Sequence, residues 1–108
     1  PGLAAVSPEP GDAPNGYSAL WRIDLDSPRD LATRLAEAGV TNSVGTYRLR
    51  AAHQHPACEY LHPAPCPRAA HAVDRMLAVT LQPQTTDTEL QHLAETIRRE
   101  AVTWAQSR

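Results

Sequence analysis

The sequence predicts a small α+β domain: a three-stranded antiparallel or mixed sheet with helices mainly on one face. Three observations predict it. A length of 108 residues suits one domain rather than two. Stretches patterned as strands alternate along the chain with stretches of helical spacing. The turns between them carry the capping residues that start and stop helices.

Residues 1–16, PGLAAVSPEPGDAPNG, hold four prolines and three glycines and show no apolar period. They read as an extended or disordered lead-in or linker. Order is expected from Tyr17 onward. In 18–25, Ala19, Trp21, Ile23 and Leu25 share one face while Arg22 and Asp24 share the other. That is a strand with one buried face. Ser27 stands in N-cap position, Pro28 suits the first helical residue, and Leu31 and Leu35 form a stripe that Gly39 stops. Residues 40–49 are expected to form a second, shorter strand, with Val44, Tyr47 and Leu49 inward.

Four prolines then break residues 51–67 into a long irregular loop. Helical spacing resumes over 68–77 through Ala69, Ala72, Val73 and Met76. A short apolar strand follows at 78–81. Thr86 with Glu89 three residues later is a capping box. Leu90, Leu93, Ala94, Ile97, Ala101 and Trp104 then mark one face of a helix of roughly five turns. About 92 ordered residues bury only about 60–65% of their unfolded surface, so any apolar second face calls for a partner.

Composition excludes several functions. The net charge of −2 gives no electrostatic footprint for nucleic acid or an anionic membrane. No apolar run is long enough for a membrane span or a signal-peptide core, and the expected location is cytoplasmic. All ten basic residues are arginines. A chain without lysine has no amine for a Schiff base, a P-loop phosphate or a lysine general base.

His53, His55, Cys58, His62 and Cys66 crowd the proline-rich loop, and His71 follows. Zinc accepts such ligands, yet the spacing lacks the paired C-x2-C or H-x3-H knuckles of strong zinc motifs. They stand as metal candidates beside the plainer reading of an irregular loop. A Cys58–Cys66 disulfide is disfavoured in a reducing compartment. Trp21 and Trp104 are large apolar bodies suited to core or interface packing. Asp30 and Arg34 stand at i,i+4 spacing, ordinary helix support.

Three stretches together resemble a known family. GYSALWRIDLDSPRDLATRLAEAGV, VTNSVGTYRLRAAHQHP and AAHAVDRMLAVTLQPQTTDTELQHLAETIRRE resemble, in order, the C-terminal small domain of the DegT/DnrJ/EryC1/StrS aminotransferases. These are fold-type I enzymes that use pyridoxal phosphate (PLP), mostly to aminate nucleotide-linked keto-sugars. The resemblance covers 17–105 but only the last quarter or so of a complete enzyme. The family's PLP lysine, pyridine-binding aspartate and phosphate cradle belong to the large domain and have no counterpart here.

The resemblance implies that Asn42, Tyr47, Arg48, Arg50 and His53 face the substrate cleft; Trp21 and Trp104 are the interface candidates on their size. On the residues alone, Arg48 and Arg50 read equally as one solvated strand face, and Asn42 as a turn cap. Relatives often carry Val-His-Tyr where this chain has Val44-Gly45-Thr46-Tyr47, so that histidine has no counterpart here and no direct catalytic contribution is expected from this segment. The implied function is non-catalytic: a small subunit docking on a separate PLP-binding chain as a hetero-oligomer. The same residues could instead belong to the end of a longer enzyme, or to a relic acting as a module. The alternative from another class is a metal-binding or regulatory module built on the loop 53–71.

Overall fold

In the computed structural model, residues 2–6, 9–12 and 18–107 are described. They form an α+β domain in which a three-stranded antiparallel sheet packs one face against helices. The strands are β1 (Leu3–Ala5), β2 (Ser18–Ile23) and β3 (Met76–Thr80), in the order β1-β2-β3. The helices are α1 (Pro28–Glu37), α2 (Pro67–Arg75) and α3 (Asp87–Gln106). Two short 3₁₀ turns, Ala52–Gln54 and Pro56–Leu61, lie in the proline-rich loop.

Cross-strand register explains which side chains are buried. Leu3 pairs with Ile23, Trp21 with Leu77 and Ala19 with Val79. These residues point to the helix side, where Ile23, Leu77 and Val79 meet Leu31 and Leu35 of α1 and Ile97 and Trp104 of α3. Full burial of each large aliphatic side chain is worth roughly 1.5–3 kcal/mol. The opposite face carries Leu20 and Met76, both exposed. The Arg22–Asp24 pair, bidentate at 2.8 and 2.9 Å, stands on that face and holds the Asp24 carboxyl below its ordinary range.

Helix ends follow the sequence closely, with one exception. Gly39 takes a left-handed φ of 95°. Its N–H donates to Ala36 O, and the Val40 N–H donates to Leu35 O. That is a Schellman closure with a buried Val40 behind it. Thr86 and Glu89 make both bonds of the capping box. Ser27 does sit at the N-cap of α1, but its backbone is left-handed and no side-chain cap bond forms. Arg34 leaves Asp30 for Glu100, with Nε 2.6 Å from Oε2, and so ties α1 to α3.

Two strand expectations are corrected. No strand runs through 40–49. The Asn42 carbonyl accepts from the N–H groups of Thr46 and Tyr47, and this turn diverts the chain after a single bridge between Asn42 and Val79. Val44 is inward as expected, but Tyr47 and Leu49 are exposed. The third strand comes instead from the segment read as a lead-in. Leu3–Ala5 pairs with β2 and places Leu3 against the core. Three residues are too short to register as an apolar period. The expected start of order at Tyr17 lies outside the described residues. The last strand begins at Met76, two residues early, because its pairing with Arg22 and Trp21 takes Met76 and Leu77 out of the preceding helix.

The side-chain bond from Arg34, aided by Arg99, holds the Glu100 carboxyl below its ordinary range. A carboxyl whose folded pKa is depressed stabilises the fold above its unfolded pKa and stops doing so as pH falls through the folded one. Acid titration of stability should therefore show a loss beginning near the ordinary glutamate value of about 4.3. Glu100→Gln should lower stability near neutrality and flatten that acid limb in urea melts measured against pH.

Candidate functional site

The site is built on a buried amide. Asn42 is 0% exposed. Its Nδ2 donates to Ala32 O at 3.0 Å and to Val40 O at 2.9 Å, and its Oδ1 accepts the Gly45 N–H at 2.7 Å. Both amide hydrogens are used, the oxygen is bonded too, and the side chain has no exposed surface to offer a substrate. The substrate-facing expectation for Asn42 is therefore corrected: the residue is a turn anchor inside the core.

Gly45 lets that anchor work. A Cβ there would overlap Ala32 O and come within 2.6 Å of Ala32 C and 2.9 Å of Thr33 N. Only glycine allows the turn to lie against the α1 backbone. A histidine or any other side chain at this position would push the turn off the helix.

Ser43 fastens the turn to the sheet. Its hydroxyl donates to Met76 O and accepts from the Ala78 N–H, both at 3.1 Å, while its own N–H donates to Ala78 O at 2.9 Å. These bonds occupy the outer edge of β3 where a fourth strand would otherwise pair.

From this base a closed arm projects. Leu49 N–H returns to Ser43 O at 2.9 Å. Arg29 of α1 donates to Leu49 O at 3.0 Å and to Asp74 of α2 at 2.7 Å. Arg48, which precedes the tied Leu49, is left-handed at φ 55°, which strains a non-glycine residue. Tyr47 is 64% exposed, and Arg48 and Arg50 are exposed too. Among the described residues neither guanidinium has a hydrogen-bond or ion-pair partner, whereas Arg22, Arg29, Arg34 and Arg75 are all engaged. A fixed arm with two free guanidinium forks and a phenol is suited to a phosphate or carboxylate.

Searches of protein-family models, of curated proteins and of solved structures each find no match.

His53 does not join the arm's arginines. It is half-buried beyond Ala51 in the chain, lining a polar cavity of about 470 Å³ with His55, Glu59 and His62. Among the described residues no three His, Cys, Asp or Glu side chains gather closely enough to hold a metal ion. His53, His55, Cys58, His62 and Cys66 therefore form no coordination sphere, and both cysteines are free thiols. Trp104 is 8% exposed and its indole N–H donates to Asp26 O at 2.8 Å, so it serves its own core and leaves little surface for a partner. Trp21 is half-buried and lines a cavity of about 210 Å³ with Leu3, Ala94, Ile97, Arg98 and Ala101.

Sequence reasoning missed Ser43, Gly45, Arg29 and Asp74. The Asn42-to-Gly45 spacing was the available signal for the turn. Nothing local marks Arg29, whose partners lie 20 and 45 residues away.

Asn42→Ala should cost about 3 kcal/mol in urea unfolding, since it removes three side-chain hydrogen bonds from a fully buried site. Gly45→Ala should cost about 1–3 kcal/mol by overpacking. Arg48→Ala and Arg50→Ala should each stay within about 0.5 kcal/mol of the parent, as exposed side chains without partners do.

Proposed function

We propose that this chain is a non-catalytic small domain or subunit that completes a PLP-dependent aminotransferase of the DegT/DnrJ/EryC1/StrS type. It docks on a separate PLP-binding chain as a hetero-oligomer in the cytoplasm, and lends that chain one wall of its substrate cleft. The amino acceptor on this reading is a nucleotide-linked keto-sugar of natural-product or glycan biosynthesis.

The observation that carries the reading is the anchored arm. Among the described residues, two guanidinium groups without partners flank Leu49 on a segment bonded to the sheet edge and to α1. Binding a substrate anion there incurs little ordering cost in the backbone, because the ordering is already complete. The exposed Leu20 and Met76 on the outer sheet face support the need for a partner.

PLP itself does not fit this chain. Covalent attachment needs a lysine amine, and the sequence contains none. On this reading the cofactor's chemistry belongs to the docking chain. Here the arginine arm binds and orients an anionic substrate group, and contributes no proton transfer.

The test mixes the purified chain with a family PLP chain truncated of its own small domain. Transamination of a nucleotide-linked keto-sugar should appear in the mixture and in neither chain alone. Arg48→Ala/Arg50→Ala should raise KM at least tenfold, the loss of one charge-assisted pair of about 1.5 kcal/mol, with the fold unchanged. Activity of this chain without a companion, or no activity in the mixture, would contradict the proposal.

A further inference from the structure

The proline-rich loop contains a histidine whose hydrogen bond works in one protonation state only. His55 is the N-cap of the 3₁₀ turn Pro56–Leu61, and its Nδ1 accepts the Ala57 N–H at 3.1 Å. Accepting there needs a lone pair on Nδ1, so the ring must be neutral with its hydrogen on Nε2. When Nδ1 takes a proton from water it becomes a donor and faces the Ala57 N–H with like polarity. The cap bond is then lost.

The surroundings strengthen that response. His53 from the preceding 3₁₀ turn and His62 after the capped turn line the same cavity as His55, with Glu59 the one carboxylate among its lining residues. Protonation of the histidines adds positive charge beside His55, and Glu59 alone offsets part of it. No residue of either 3₁₀ turn is buried, so core packing does not hold the turn closed once the cap is gone. His62, which ends the turn, is left-handed at φ 46° and so favours release further. The turn displays Tyr60 and Leu61, exposed by 75% and 61%.

We infer that the segment from His55 to His62 is a proton-sensitive turn, closed when His55 is neutral and released when its Nδ1 is protonated. The inference is independent of the aminotransferase reading and concerns a different part of the surface from the arginine arm. Its consequence is that the presentation of Tyr60 and Leu61 follows the protonation state of His55.

Amide exchange by NMR on the full chain tests it, with rates divided by the intrinsic rate at each pH. Between about pH 8 and about pH 5, which bracket the histidine range, protection of the Ala57 amide should fall about fivefold, the factor an ordinary N-cap is worth. The fall should track the titration of the His55 ring. His55→Asn keeps an acceptor that does not titrate, so Ala57 should stay protected at both pH values. His55→Ala should leave it unprotected at both. Constant protection in the parent while His55 titrates would overturn the inference. So would a pH dependence that survives in His55→Asn, or protection that survives in His55→Ala.

Discussion

Asn42 lies between two buried valines, Val40 and Val44, with no exposure to water. An unpaired amide in that position would be strongly destabilising, so its three bonds constrain everything nearby. The donors fix the end of the turn to Ala32 and Val40, and the acceptor fixes Gly45. Val40 is itself placed by the Schellman closure of α1. The helix end, the turn and the sheet edge are thereby one mechanical unit. Removing the Cβ at position 45 is the condition that lets them meet.

That unit separates two kinds of surface. Tyr47 and Arg48 lie within the segment that the Leu49–Ser43 bond closes, and Arg50 follows Leu49, whose carbonyl Arg29 holds. The loop beyond Ala51 has only short 3₁₀ turns with no buried residue. The first arrangement suits recognition of a ligand by fixed charges. The second suits a segment whose shape answers to conditions. The absence of lysine fits both, since neither needs a covalent amine.

Elements whose signal is local were legible in the sequence. The α3 capping box, the Gly39 stop and the alternation through Trp21 and Ile23 each rest on residues within a few positions of one another. Elements set by distant partners were not. β1 is a strand because β2 offers it an edge, and its three residues carry no period of their own. Residues 40–49 have apolar residues enough for a strand, but an amide bonded back to α1 and a glycine pressed on its backbone turn the chain aside. The arm's residues Tyr47, Arg48 and Arg50 were readable as candidates. What positions them, Arg29 with Asp74 and Ser43 with the β3 edge, depends on contacts across 20 to 45 residues.

The central claim is that the turn from Asn42 to Gly45 belongs to the core and so holds the arm still. Hydrogen exchange at the Gly45 amide, which donates to Asn42 Oδ1, measures this directly. If the claim holds, that amide exchanges only when the whole domain unfolds, as slowly as the amides of Leu77 and Val79. Exchange through a local opening, orders of magnitude faster than those core amides, would contradict it.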